Sequence, residues 1–305
     1  MPDDAFMSAI APWFGSKRLI APEILHQLGP HVSYWEPFCG SMAVLLAKPP
    51  SAHEHANDLH GDLVNLARVV QDEHKALVLY GRLTRTLCCE DLFADCRAWW
   101  LERSFIPSEA PGDVERAYRY FVVSWMGRNG ISGTERYNHS YSVCWKKAGG
   151  NRATRFVSAV ESIPWWHERL RRVVILRRDG VGLLERIEDA DGVALYVDPP
   201  YLVGSRAKSG GGNAYEHDMS DADHDRLAQV LGRFRRARVV LSAYDCPELH
   251  RLYPGWSCIR ARTSHKRLSV GTRNRRAKPK DAPEVLLVNG PSAPSTLTLF
   301  EVPHA

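Results

Sequence analysis

The chain has 305 residues, 44% of them hydrophobic and 25% charged, and 40 Lys/Arg against 35 Asp/Glu give a formal net charge of +5. That length and balance fit a folded protein with one large core or two smaller ones, and exclude a disordered or fibrous chain. There is no run of eighteen apolar residues and no secretory signal over Met1 to Ala11, and the seven cysteines form no CxxC pair, so a membrane span, a disulfide framework and a structural metal are not expected. The expected address is the cytoplasm.

In chain order, Lys17 to Leu28 carries Leu19, Ile20, Ile24, Leu25 and Leu28 at helical spacing and stops at Gly29-Pro30. Val32 to Glu36 reads as a short strand, followed by a Gly/Ser turn and the helical run Met42 to Ala47. A second strand ends at Ala56-Asn57-Asp58, and an amphipathic helix begins over Leu63 to Val70. Strand, glycine turn, helix and strand in this order predict a parallel α/β unit. From about Gln71 to Trp166 the texture changes: aromatic-rich helical segments, Leu92 to Leu101 and Val114 to Met126, flank the polar, glycine-rich stretch Gly127 to Gly150. Strands return at Arg172 to Leu176, Val193 to Val197, Arg238 to Ser242 and Glu284 to Val288, with a helix over Asp221 to Leu231 behind Ser220 as N-cap. The reading is an α/β fold with a Rossmann-like mixed sheet over residues 1–71 and 167–305, and a mostly helical insert of residues 72–166. Ser209 to Gly212 is a flexible tract suited to a lid, and the tail after Asn289 is rich in Pro and Ser.

Asp198-Pro199-Pro200-Tyr201 follows the apolar strand directly. Two prolines lack the amide donors a central strand needs, so they form a rigid platform at its carboxyl edge, where open α/β sheets bind ligands. A carboxylate and the Pro199 carbonyl can each accept one N–H of an exocyclic amine. That favours a tetrahedral nitrogen and stabilises the positive charge that grows on it during group transfer. Tyr201 offers a face for a stacked base. Earlier, Glu36-Pro37-Phe38-Cys39-Gly40-Ser41 joins a strand to a helix. Gly40 lets the backbone approach a ligand, while Glu36 and Phe38 suit an ammonium or sulfonium rather than a pyrophosphate. The three-glycine dinucleotide turn is missing, which argues against a nicotinamide enzyme. Asp58, at a strand end about twenty residues on, suits ribose hydroxyls or else an N-cap. Asp179 offers a further acid at the same edge.

Five stretches together resemble the Dam-like class of DNA N(6)-adenine methyltransferases. Trp13-Phe14-Gly15-Ser16-Lys17 is similar to its N-terminal cofactor segment, with Ser16 in place of a glycine. Glu36 to Val44 is similar to its cofactor loop, with Met42 where glycine is usual. Asn57-Asp58 is similar to its ribose-binding acid, Asp198 to Tyr201 to its catalytic tetrad, and Val240 to Asp245 with Pro283 to Asn289 to its late strands. The resemblance implies S-adenosyl-L-methionine as cofactor, held by Trp13, Lys17, Asp58 and Asp198 together with Glu36, Phe38, Gly40, Ser41 and Asp179. It implies no metal, double-stranded DNA as substrate with the target adenine flipped out of the helix, and a companion restriction endonuclease as a further partner. Arg128 to Asn138 is similar to the family's recognition hairpin, with about two extra residues. Arg128, Asn129, Arg136 and Tyr137 suit base edges there, and Lys146, Lys147 and Arg152 suit phosphates. Eight Lys/Arg and no acid lie between Arg262 and Lys280, among them Lys266, Arg267, Arg273, Arg275 and Arg276, which fit either phosphate contact or a solvated loop. RNA adenine or cytosine N(4) as acceptor, or a catalytically idle nucleic-acid-binding relative, remain as alternatives.

Overall fold

The computed structural model describes residues 8–13, 15–103, 112–127, 140–143, 151–202, 217–261, 267–268, 280–281 and 284–291. The short aliphatic runs become a seven-stranded sheet of β1 (Ser33–Glu36), β2 (His53–Asn57), β3 (Val174–Leu176), β4 (Val193–Val197), β5 (Arg238–Tyr244), β6 (Ser257–Arg260) and β9 (Glu284–Val288). Its order is β3-β2-β1-β4-β5-β9-β6; the first five strands are parallel, and β9 runs antiparallel between β5 and β6. Between β6 and β9 the chain forms a two-stranded antiparallel ribbon of β7 (Arg267–Leu268) and β8 (Lys280–Asp281).

Alternating side chains send each strand into two cores. Tyr34, Ala194, Tyr196, Val240, Leu286 and Val288 join one, under α1 (Ala21–Leu28), α2 (Ala43–Ala47) and α3 (Gly61–Gln71). Leu195, Val197, Val239, Leu241, Val285 and Leu287 join the other. That core is covered by α9 (Gly180–Leu184), α10 (Asp221–Leu231) and α11 (Pro247–Leu252). Helices on both faces of a mixed sheet make this an α/β fold of the Rossmann-like kind. The span from Gln71 to Trp166 contributes α4 (Glu73–Leu83), α5 (Glu90–Arg103), α6 (Val114–Met126), α7 (Arg152–Glu161) and the first half of α8 (Ile163–Leu170). These pack on α3 and on one another, and Trp100, Phe121, Trp125, Phe156 and Trp166 extend the first core without a break. Among the described residues, no helix is long and apolar enough to cross a membrane.

Two local departures from the sequence pattern bear on the site. The first helix starts at Ala21 rather than Lys17, because Pro22 occupies its first turn and Lys17 to Ile20 close a separate hydrogen-bonded turn (Ile20 N to Lys17 O, 3.1 Å). That turn leaves Lys17 off the helix. Helix α2 starts after Met42, which sits in the left-handed region at φ 59° while wholly buried. The backbone cost there is about 1–2 kcal/mol, and burial of the thioether side chain offsets it by a similar amount.

A buried ion cluster ties the helical layer to the sheet. Glu54 of β2 accepts from Lys48 Nζ at 2.5 Å and from Arg169 of α8 at 2.5 and 2.8 Å. Burial alone would raise the Glu54 carboxyl, but the Arg169 and Lys48 hydrogen bonds outweigh it and the net shift is downward. Its stabilisation is therefore fully present above the ordinary carboxylate value and is lost as pH falls below it through the lowered native one. Glu54→Ala, which strands two buried cations, is expected to cost about 3–5 kcal/mol in urea unfolding; a loss below about 1 kcal/mol would contradict the pairing.

Candidate active site

The loop after β1 is shaped by contacts from three other segments. Cys39 N donates to Asn57 O at 2.9 Å, and the Asn57 amide donates to Pro37 O at 2.8 Å and to Arg178 O at 2.9 Å while accepting from Arg178 N at 2.8 Å. One buried asparagine thus clamps the ends of β1, β2 and β3 together. Gly40 has φ 45°, and a Cβ there would lie 2.7 Å from Trp13 Nε1, so the indole rests on the bare glycine. Trp13 meets His60 edge to face at 5.4 Å. Phe38 lies on Gly180 in the same way, 2.6 Å from where a Cβ would stand.

Asp58 is preset as an acceptor. Its Oδ2 takes Gly40 N at 2.8 Å and its Oδ1 takes His60 N at 2.9 Å, which fixes the carboxylate and leaves lone pairs for a ligand. The N-cap of α3 is His60, whose Nδ1 accepts from Leu63 N at 3.2 Å, so Asp58 is not spent on that helix. Asp179 does cap its helix, accepting from Gly182 N at 2.6 Å, and also lines the pocket.

At the carboxyl end of β4, Lys17 Nζ donates to Asp198 Oδ2 at 2.7 Å and to Gly15 O at 2.8 Å, and lies 3.6 Å from Glu284 Oε1. Burial would depress the lysine, but the two carboxylates outweigh it and hold it above its ordinary value as a cation. The same ammonium sits 5.2 Å from the centre of the Tyr201 ring. The Tyr201 hydroxyl donates to Glu284 Oε1 at 2.9 Å, and its ring stands edge-on to Tyr244 at 4.5 Å. Glu36 is buried beneath this group. Burial raises its carboxyl to about 8; the Tyr34 hydroxyl (3.0 Å) opposes this but does not overcome it, and the Asp198 charge adds a smaller upward push.

Trp13, Lys17, Glu36, Phe38, Gly40, Ser41, Asp58, Asp179, Asp198 and Pro200 all line one pocket. His60, Arg178, Tyr196, His217, Asp218 and Met219 share its walls, and nothing local in the sequence marks them as pocket residues. Pro199 and Tyr201 face a small neighbouring cavity with Tyr244 and Tyr253. Arg128, Asn129, Arg136, Tyr137, Lys146, Lys147, Lys266, Arg273, Arg275 and Arg276 lie outside the described residues, as do Phe14 and the tract Ser209 to Gly212; Arg267 is placed by its backbone in β7. Among the described residues no group of three or more His, Cys, Asp or Glu is arranged to hold a metal. Fixed acids at one end, a desolvated acid and aromatic faces in the middle, and an acceptor carboxylate at the other suit a cationic nucleoside beside an amine.

Comparison with known proteins gives the same direction. The model of the D12 class N6 adenine-specific DNA methyltransferase family matches residues 13–266. The Retron Ec67 DNA adenine methylase of Escherichia coli is 26% identical over 293 residues, which cover 93% of this chain and 92% of that protein.

The glycine contacts are open to test. Gly180→Ala is expected to push Phe38 off its seat and cost about 1–3 kcal/mol in denaturant unfolding. Gly81→Ala, within α4 and with nothing near its Cβ position, is expected to gain about 0.5–1 kcal/mol. Equal effects at the two positions would contradict the close approach of Phe38.

Proposed function

This chain belongs to the D12 class N6 adenine-specific DNA methyltransferase family, and we propose on that premise that its main pocket holds S-adenosylmethionine while Asp198 to Tyr201 receive the target adenine. The protein is an adenine-specific DNA methyltransferase. The observation that carries the site assignment is Asp198 Oδ2, which already holds a cationic nitrogen donor at 2.7 Å on the pocket wall. During transfer the adenine amine likewise becomes a cationic N–H donor, until it gives up one proton to solvent and leaves as the neutral methylated base.

The residues present fit the cofactor. Asp58 is held ready to accept from two ribose hydroxyls. Glu36, kept neutral by burial, becomes a carboxylate when a cation comes near. Trp13 and Phe38, each seated on a glycine, give the walls an aromatic lining. When bound, the cofactor supplies an electrophilic methyl group on positively charged sulfur.

The chain supplies position and electrostatics. Asp198 and the Pro199 carbonyl accept the two hydrogens of the adenine amine, draw its lone pair out of ring conjugation and stabilise the charge that develops on nitrogen. The target base must leave the helix stack to reach this edge. Residues 1–71 and 167–305 form the catalytic domain in this reading, and residues 72–166 form the part that reads DNA. Arg128, Asn129, Arg136 and Tyr137 serve base edges there, and Lys146 and Lys147 serve phosphates. The basic stretch holding Lys266, Arg267, Arg273, Arg275 and Arg276 springs from the same sheet edge, since Ala261 N donates to Glu284 O at its root. In this reading its charge serves the duplex backbone.

Asp198→Ala is expected to lower tritiated methyl incorporation into duplex DNA by about 100-fold or more while the protein still melts cooperatively; near-normal activity would sink the assignment. Glu36 gives a second test with its sign worked out. Its pKa of about 8 in the free protein exceeds the unfolded value, so the neutral form dominates at pH 7 and cofactor binding must expel a proton. Calorimetry at pH 7 in buffers of different ionisation enthalpy is expected to show release of about 0.9 proton. Affinity should rise with pH up to about 8 and then level. Equal proton release from Glu36→Gln would contradict this role.

A further inference from the structure

Glu284 opens β9, and the rest of that strand is apolar and buried. Its own side chain is 1% exposed. A carboxylate taken out of water is strongly disfavoured unless it is both paired and hydrogen-bonded, so an acid at this position calls for a reason. Its contacts include the Tyr201 hydroxyl at 2.9 Å and the Lys17 ammonium at 3.6 Å. That ammonium therefore stands between two carboxylates, close to Asp198 at 2.7 Å and farther from Glu284.

The nearer carboxylate oxygen is the one the adenine amine needs. While Lys17 donates to Asp198 Oδ2, a neutral amine competes for it with a full positive charge, and charge-assisted hydrogen bonds are roughly twice as strong as neutral ones. A second anion within reach of the same ammonium removes that conflict. We propose that Glu284 is a positioning residue of methyl transfer: it is the second seat of the Lys17 ammonium, drawing it off Asp198 as the target adenine enters, while it anchors the Tyr201 hydroxyl. This rests on the reading that Asp198 receives the amine.

A purely structural Glu284 needs only to accept from Tyr201, which a glutamine does equally well. The negative charge is the part that the Lys17 ammonium uses. Glu284→Gln is therefore expected to keep the melting temperature and to leave cofactor affinity within about twofold, while the single-turnover rate falls about 10- to 100-fold. Tyr201→Phe, which spares the charge pair, is expected to lose less. In a Lys17→Met background, where no ammonium competes for Asp198, Glu284→Gln is expected to have little further effect, because the two residues act as one unit. A wild-type rate for Glu284→Gln, or the same fold loss in the Lys17→Met background, overturns the proposal. Should Glu284→Gln not fold, Glu284→Asp carries the test by keeping the charge and drawing it back from the ammonium: a slower rate at unchanged cofactor affinity is expected, and a full rate overturns the assignment. Asp198→Ala separates the two levels. If it stays active, the reading of the whole site fails; if it is inert while Glu284→Gln turns over normally, only the role of Glu284 fails.

Discussion

The site depends on a single topological constraint, the divergence of the chain at neighbouring strands β1 and β4. From β1 the next strand lies on one side, and from β4 it lies on the other. The two connections leave in opposite directions, so a crevice opens at the carboxyl ends between them. The loop from Glu36 to Ser41 forms one lip and Asp198 with Pro200 the other. Parallel pairing of Ser33, Tyr34 and Trp35 with Val193, Ala194 and Leu195 fixes the lips at matching height. No helix or sheet contact elsewhere needs to be special for these loops to face each other.

The antiparallel strand completes the edge. Because β9 runs against β5, the first residue of β9 stands beside the last of β5, and Glu284 faces Tyr244 in register. A parallel strand in that slot would bring its carboxyl end there and send the preceding loop to the far side of the sheet. Strand parity then sorts chemistry by face. Tyr196 bonds Ser242 at 2.9 Å and Tyr34 bonds Glu36, two buried polar pairs on the side chains that alternate with Leu195, Leu241 and Trp35. Each pair gives its buried polar groups a hydrogen-bond partner within the sheet.

What could be read from the sequence divides along the same physical line. The strands Val193–Val197 and Glu284–Val288 and the helices Val114–Met126 and Asp221–Leu231 stand where their aliphatic runs, apolar spacing or capping serine place them, because those signals are local. The loop residues from Glu36 to Ser41 and the tetrad from Asp198 were legible because prolines and a glycine at strand ends announce an interruption of the ladder. Strand β6 was not legible, since Ser257–Arg260 lies at the sheet edge, only half-buried, and lacks an aliphatic run. Helix α8 was hidden by a tryptophan pair and a proline in its first turn. Asn57 as a clamp, His60 as a cap and Glu284 beside Lys17 depend on partners 121, 3 and 267 positions away (284 − 17). A helix cap is at least local in principle, but histidine is a rare choice for it. The other two exist only once the sheet has formed.

The charges in the pocket follow from environment more than from residue type. Glu36 and Asp198 are both carboxyl groups at strand ends, and each raises the cost of ionising the other. Asp198 keeps its side chain partly in solvent and pairs with the Lys17 ammonium at 2.7 Å. Glu36 has neither advantage: it is buried, and its nearest polar partner is the Tyr34 hydroxyl, so the neutral acid wins in the free protein. Two like groups are thereby set to different tasks by their surroundings, one an acceptor and the other a reserve of negative charge. A cation brought into the pocket tips that reserve into its charged form at the cost of one proton, whereas a neutral nucleoside of the same shape does not. The pocket can in this way distinguish a charged ligand from its neutral counterpart with no change in the shape of its walls, because the response lies in a proton and not in a moving segment.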